Sequence, residues 1–184
     1  MAALRNSKPR RSAKEAALDC LSRRALTYYE LETRLKNKGY NDGEINPVLE
    51  KLLEWGYLND QELTLAYAKS RLKRFSRRRV QQDLLNRGLA PELIDQALKE
   101  VYSSADEYQQ CLAFAEQWWL QEEKSWEHKN SSEKTRPKIP RELWIKQKIF
   151  RKLSQRGYSS EMVRSVLAEI HEDGDEDDGN LEDV

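Results

Sequence analysis

A repeated glycine motif is the feature of this sequence that most constrains its fold. Three segments align on a glycine that directly follows a basic residue and stands four positions after a leucine. They are Leu35-Lys-Asn-Lys-Gly39-Tyr, Leu84-Leu-Asn-Arg-Gly88-Leu and Leu153-Ser-Gln-Arg-Gly157-Tyr. Self-similarity at separations of 49 and then 69 residues indicates tandem supersecondary units. The third unit therefore carries about 20 extra residues.

Apolar residues recur at fixed distances from each glycine. They stand eight and four positions before it, and six, ten and thirteen positions after it. This spacing places them on one face of two helices that the glycine separates. The residues are Leu31, Leu35, Ile45, Leu49 and Leu52 in the first copy, Val80, Leu84, Ile94, Leu98 and Val101 in the second, and Ile149, Leu153, Val163, Leu167 and Ile170 in the third. Because glycine adopts the left-handed conformation that commonly ends a helix, each glycine is predicted to be a C-terminal cap.

Each unit also contains a leading helix, so the pattern predicts nine helices in three triplets. Their expected ranges are about 12–25, 28–38, 44–55, 61–74, 77–87, 91–102, 105–125, 140–156 and 159–171. No segment shows the two-residue alternation of a strand, so no sheet is expected. The fold class is predicted to be all-α, an elongated array of three tandem three-helix repeats.

Helix start signals support these ranges. Thr27-x-x-Glu30 has the pattern of a capping box, and Ser76 precedes Gly88 by the same twelve residues that separate Thr27 from Gly39. Pro47 resists the pattern, because a proline inside a helix removes a hydrogen bond. Its helix is expected either to start late, near Asn46, or to kink.

The chain is predicted to have five segments. These are a disordered basic N-terminus (1–11), repeat 1 (12–60), repeat 2 (61–103), repeat 3 (104–171) and a disordered acidic tail (172–184). Repeat 3 contains a polar insert near 121–140, read as a loop or a fraying helix end. Four tryptophans flank this insert, and Trp118 and Trp119 cannot both face one side of a helix. One is expected to pack and the other to be partly exposed, where its ring could stack on a base.

The formal net charge of zero hides an asymmetry. Residues 171–184 hold eight acidic residues and no Lys or Arg, so residues 1–170 carry about +8 by subtraction. A basic body with an acidic tail favours an anionic partner. The alternative is that both charge runs are simply solvated.

Several functional classes lack their signatures in this sequence. No phosphate-binding glycine loop, nucleophile–base motif or metal-ligand spacing is present, so we expect no enzyme activity, no catalytic residue, no metal and no cofactor. Cys20 and Cys111 are expected to be buried free thiols in a reducing compartment. No apolar stretch approaches the roughly 20 residues of a membrane span, and the N-terminus lacks a signal peptide's apolar segment. A cytoplasmic monomer that does not contact membranes is predicted.

The sharpest local signal is a basic run from residue 69 to residue 79. Seven of these eleven residues are basic and none is acidic: Lys69, Arg71, Lys73, Arg74, Arg77, Arg78 and Arg79. If Ser76 is the cap, the last three occupy a first helical turn, where cations oppose the helix dipole. We interpret this run as a candidate anion- or partner-binding site, in which arginines surround a free helix N-terminus. The alternative is a solvated face whose repulsion salt screens.

At these residues the sequence resembles the RecX family of recombination regulators, over roughly residues 16–171. The resemblance rests on the pattern from Ala17 to Gly39, on Gly56-Tyr57-Leu58-Asn59-Asp60, and on the segments Val80–Leu89 and Ile149–Tyr158. It implies a curved, all-helical protein without catalytic residues or cofactor. It also implies a partner, the RecA filament on single- or double-stranded DNA, and an effect, modulation and most often inhibition of RecA ATPase and strand exchange in recombination, DNA repair and the SOS response.

The sequence departs from the family pattern at the insert near 121–140, at the acidic tail, and in the third unit. That unit lacks a Ser/Thr cap at Ile145, so its middle helix is expected to start earlier, at Pro140. Two other functions stay open. The chain could be a helical-repeat module that binds DNA or RNA directly, or an adaptor for another protein in which the basic run is incidental.

Overall fold

A computed structural model describes residues 11–130 and 138–172 of the chain. Within those ranges the protein forms nine α-helices and no strand, as the glycine repeat predicted. They are α1 (Ala13–Leu21), α2 (Tyr28–Asn37), α3 (Asp42–Glu54), α4 (Asp60–Arg71), α5 (Arg77–Asn86), α6 (Pro91–Val101), α7 (Ser104–Asn130), α8 (Arg141–Gln155) and α9 (Ser160–Glu172). The predicted disordered ends lie outside the described residues except for residues 11 and 172, and so do residues 131–137 of the predicted insert.

The described residues divide into two compact units. The first comprises residues 11–70 and 81–98, and the second comprises 71–80, 99–130 and 138–172. The first unit therefore contains α1–α3, most of α4, the end of α5 and most of α6. The second contains the start of α5 and all of α7–α9.

Each unit is built around the apolar positions that recur about the glycines. In the first unit, Leu31, Leu35, Ile45 and Leu49 are fully buried and pack with residues of α1. In the second, Ile149, Leu153 and Val163 are fully buried and pack with Cys111 and Ala115 of α7. The equivalent side chains of the middle copy, Val80, Leu84, Ile94 and Leu98, are also fully buried. The predicted apolar positions are therefore buried in all three copies, except that Val101 and Ile170 are half-buried.

The predicted helix caps are confirmed as well. Gly39, Gly88 and Gly157 have φ angles of 85°, 76° and 93°, in the left-handed region that favours glycine. Thr27 forms a capping box with Glu30, and Ser76 Oγ accepts a hydrogen bond from Arg79 N at 3.2 Å. The middle helix of the third copy begins directly after Pro140 without a side-chain cap.

Four helix boundaries differ from the predictions by more than one residue. Helix α1 ends at Leu21 rather than near residue 25, and α4 ends at Arg71 rather than near residue 74. Helix α3 does not start late near Asn46. It begins at Asp42, because Asn41 and Glu44 form a capping box there, and Pro47 lies inside it. Helix α7 does not end near residue 125 but continues to Asn130, so the first half of the predicted insert is helical. Contacts between Trp126 and Trp144 of α8 account for this extension.

Glycines 88 and 56 form a matched pair for testing how tightly the copies pack. Both have positive φ, but a Cβ added at Gly88 would lie 2.4 Å from the Tyr29 ring, whereas one at Gly56 would meet nothing within 4 Å. We expect Gly56→Ala to cost about 1–2 kcal/mol of unfolding free energy from backbone strain alone. Gly88→Ala should cost about 1–3 kcal/mol more, because the Tyr29 side chain must also move. Urea unfolding measures both, and equal losses would contradict close packing at Gly88.

Candidate anion-binding site

The basic run spans the end of α4, the turn after it and the first turn of α5. Lys69 lies in the first unit and the other six basic residues lie in the second. Six of the seven side chains are exposed and Arg77 is half-buried. Between them, Leu72 and Ser76 are buried and hold the segment in place. The structure therefore presents most of the predicted site residues to solvent.

The N-terminus of α5 is not the free anion site that the sequence predicted. The backbone N–H of Arg77 donates to Glu107 Oε1 at 2.9 Å, and Arg77 Nη1 donates to the Tyr102 carbonyl oxygen at 3.3 Å. An acid in the first turn of α7 thus satisfies a donor that the helix itself leaves unpaired, and it also complements the helix dipole. The arginines in the first turn of α5 therefore have the carboxylate of Glu107 beside them.

Helix α2 of the first unit is capped in the same way. The backbone N–H of Tyr28 donates to Asp60 Oδ1 at 3.0 Å. Asp60, like Glu107, lies in the first turn of the leading helix of the next copy. The acid at the helix N-terminus is therefore a structural feature of the repeat. A ligand for the basic run must bind to the exposed arginine and lysine side chains instead.

Each unit contains a second recurring contact, which we call a junction. At the first junction, α2 meets the residues that end α5. Thr27 Oγ1 donates to the Arg87 carbonyl oxygen at 2.7 Å, and Gly88 lies against Tyr29. At the second junction, the start of α5 meets the residues that end α8. Ser76 N donates to the Arg156 carbonyl oxygen at 3.0 Å, and Gly157 lies against Ser76 and Arg79.

At the first junction a carboxylate balances the charge of Arg87. Arg87 Nε and Nη2 donate to the two carboxylate oxygens of Glu30 at 3.1 and 2.8 Å, and the Arg87 guanidinium lies 5.3 Å from the centre of the Tyr67 ring. Arg24 donates to the same carboxylate at 3.1 Å. Burial raises the pKa of Glu30, but hydrogen bonds from Arg87 and Thr27 and the charges of Arg87 and Arg24 outweigh it, so the pKa lies below 4.5.

At the second junction the corresponding arginine, Arg156, contacts two aromatic rings. The guanidinium of Arg156 lies 4.1 Å from the centre of the Phe114 ring and 4.6 Å from that of Trp118, and these two rings stack with centroids 5.5 Å apart. Gln110 of α7 links the two sides of the junction. Its side-chain amide donates to the Leu72 carbonyl oxygen at 2.7 Å and accepts a hydrogen bond from the Tyr158 hydroxyl. Burial raises the pKa of the Tyr158 phenol, which therefore stays neutral.

Lysines and tryptophans alternate between α7 and α8 beyond this junction. Lys152 lies 5.2 Å from the centre of the Trp118 ring and Lys148 lies 4.7 Å from that of Trp144. Glu122 is buried between them and pairs with Lys152 at 2.6 Å and Lys148 at 3.7 Å. Trp118 and Trp119 are both half-buried and both pack against the core of the second unit, so each ring is packed and partly exposed at once.

The described residues can be searched for metal-binding groups, membrane-spanning helices and reactive thiols. They hold no group of three or more His, Cys, Asp or Glu side chains placed to bind a metal ion, and none of their helices is long and apolar enough to cross a membrane. Cys20 and Cys111 are buried free thiols, as predicted. Burial, with a contribution from Glu107, raises the pKa of Cys111 to about 12, so this thiol stays protonated and unreactive.

The fold and the exposed basic run define an all-α protein of tandem three-helix repeats with a cationic surface segment. Comparison with known proteins identifies the family. Family models described as "RecX, first three-helix domain" and "RecX, second three-helix domain" match residues 13–52 and 59–98. The Regulatory protein RecX of Halorhodospira halophila is 30% identical over 88% of this chain and 90% of its own length, and that of Chromobacterium violaceum is 30% identical over 86% and 90%. The chain belongs to the RecX family.

Other relatives match over part of their length. The Regulatory protein RecX of Caldanaerobacter subterraneus is 33% identical and that of Vibrio parahaemolyticus is 38% identical, and the matches span 47% and 60% of those proteins. The crystal structure of RecX from Lactobacillus salivarius has a TM-score of 0.63 at 18% identity and covers 86% of this chain and 94% of its own. That similarity shows the fold.

The first junction makes a prediction about pH. Because the pKa of Glu30 is lowered in the folded state, the stability that its charge contributes is present above the unfolded pKa and is lost as the pH falls through the folded value. Glu30→Gln should cost about 1–2 kcal/mol at pH 7. The difference from the original chain should shrink below about pH 4.

Asp19→Asn is the matched control, because Asp19 pairs with the exposed Arg23. We expect it to cost no more than a few tenths of a kcal/mol at any pH. Chemical denaturation across the pH range measures both variants. A pH-independent loss for Glu30→Gln would show that the charge of Glu30 does not stabilise the junction.

Proposed function

We propose that this protein is a non-catalytic regulator that binds the RecA–DNA filament and inhibits RecA ATPase and strand exchange. Membership of a family whose relatives carry the name Regulatory protein RecX supports the regulatory role. The observation that carries the proposal is the exposed basic run: six exposed cations lie within eleven residues that contain no acid. The protein would act as a cytoplasmic monomer in recombination, DNA repair and the SOS response.

The mechanism that we propose is electrostatic docking followed by obstruction. Lysine and arginine side chains that contact phosphates release counterions from DNA and bind with little dependence on base sequence. Such contacts would position the protein on a filament that carries DNA along its length. The remaining surface of the helical repeat would then block filament growth or the movements that accompany ATP hydrolysis, without any chemical step on this chain.

An ATPase assay tests this function directly. RecA ATPase activity on single-stranded DNA should fall as the purified protein is added, with most of the inhibition reached at or below one molecule per RecA monomer. Unchanged ATPase and strand exchange at stoichiometric amounts would overturn the proposal.

The basic run can be tested with two triple variants of equal charge change. We expect replacement of Lys69, Lys73 and Arg78 by Gln to weaken RecA inhibition and to reduce the salt slope of DNA binding by about two to three. Replacement of Lys51, Lys99 and Lys124, which are also exposed, removes the same charge elsewhere. If both variants lose inhibition equally, net charge rather than the basic run determines binding.

A second candidate function is a module that binds nucleic acid without RecA. The half-buried rings of Trp118 and Trp144, each with a lysine above it, favour this alternative, because aromatic rings among cations are typical of single-strand binding surfaces. Tight binding to single-stranded DNA that does not change when RecA is added would support it over filament binding.

A further inference from the structure

The two junctions differ in the sign of the charge at one equivalent position. Each contains an arginine that directly precedes a left-handed glycine, Arg87 at the first and Arg156 at the second. At the first, the third residue of the facing helix is Glu30, which pairs with Arg87. At the second, the third residue of the facing helix is Arg79, and its Cβ lies 2.6 Å from a Cβ built on Gly157. An arginine thus stands where the repeat elsewhere supplies the carboxylate.

This exchange leaves the Arg156 guanidinium incompletely paired. Its Nη1 is buried and has no hydrogen-bond partner among the described residues. Glu122, the buried acid of α7, is engaged with Lys152 and Lys148 instead. A buried donor on a charged group that finds no acceptor costs free energy. Arg156 as a whole is only half-buried, so a phosphate can meet the exposed part of this side chain and offset its charge.

The surroundings of Arg156 are positive and rigid. Arg74 is exposed and stands two residues before Ser76, whose N–H donates to the Arg156 carbonyl oxygen at 3.0 Å, so it lies on the segment that faces Arg156. Burial lowers the pKa of Arg156 below its ordinary value, and the charge of Arg74 contributes in the same direction. The stacked rings of Phe114 and Trp118 lie against the guanidinium and fix its plane. The donors are therefore held in position before a ligand arrives, which reduces the entropy lost on binding.

We propose that Arg156 and Arg74 form a phosphate-binding site at the second junction, and that the phosphate is one of a nucleic-acid backbone. Arginine binds phosphate oxygens with paired hydrogen bonds. A polyanion suits this place because Lys73 and Arg78, both exposed, continue the positive charge along the chain from Arg74. The biological role of the site rests on the proposed function. The site adds to the basic run the half-buried Arg156, which follows α8 and lies far from the run in sequence.

Charge reversal at residue 79 should block this site with a carboxylate of the chain itself. Arg79→Glu places a carboxylate where the first junction has Glu30, so it should pair with Arg156 and exclude phosphate. Lys124→Glu makes the same charge change on the exposed face of α7. With inorganic phosphate as the probe at constant ionic strength, the melting temperatures of the original chain and of Lys124→Glu should rise by about 3 °C. Arg79→Glu should melt higher than the original chain without phosphate and show no further rise.

Nucleic-acid binding provides the second readout. The affinity for a fluorescent oligothymidylate should fall about tenfold more in Arg79→Glu than in Lys124→Glu, because the closed site loses charge-assisted hydrogen bonds as well as net charge. Equal phosphate responses and equal losses of affinity in the two variants would overturn the site. A phosphate response without any difference in oligothymidylate affinity would mean that the site takes free phosphate only, and would overturn its assignment to nucleic acid.

A second pair of variants keeps the proposal testable if Arg79→Glu fails to fold. Arg156→Lys retains the charge but loses the paired donors, and should reduce the phosphate response by more than half. Arg87→Lys makes the same change at the first junction and should leave the response intact. An undiminished response in Arg156→Lys would overturn the proposal. These measurements contain no RecA, so failure of RecA inhibition would count against the proposed function alone.

Discussion

The contact between a helix cap and the arginine–glycine pair of the following copy is the interaction on which this structure depends. Thr27 and Ser76 each cap their own helix and also donate to the carbonyl oxygen of Arg87 or Arg156. One residue therefore satisfies donors of its own helix and an acceptor at the end of another. The glycine that follows the arginine must lack a side chain, because at Gly88 and Gly157 the facing residues lie within 2.6 Å of where a Cβ would stand.

Some positions of the junction are the same in both copies and one position differs. The cap, the glycine and the acid that meets the first helical N–H are repeated in both junctions, whereas the residue three positions after the cap is not. Glu30 at that position closes the first junction by pairing with Arg87. Arg79 at the same position leaves Arg156 to its aromatic neighbours and gives the second junction a positive surface. A single exchange within a repeated scaffold thus turns a stabilising contact into a candidate binding site.

Local patterns predicted the helices and the core. The apolar offsets about each glycine depend only on helical periodicity, so the burial of Leu35, Leu84 and Leu153 could be inferred from the sequence. The caps at Thr27 and Ser76 were equally local. The length of α7 was not, because its last residues are helical where Trp126 contacts Trp144 of α8, which lies 18 residues further along the chain.

The candidate site was predictable only in part. The basic run is visible in the sequence as charge density. The carboxylate of Glu107 at the start of α5 and the pairing of Arg87 with Glu30 are contacts across 30 and 57 residues, which no local spacing reveals. Arg156 was recognisable as a basic residue at a helix end, but its incomplete pairing depends on what α5 and α7 place around it.

A crystal structure of the full chain with a short oligothymidylate would test the unequal junctions most directly. A backbone phosphate should lie against the exposed part of the Arg156 side chain and near Arg74. Arg87 should stay paired with Glu30 and bind no phosphate. An oligonucleotide bound elsewhere on the protein, with Arg156 in contact with no phosphate, would contradict the account.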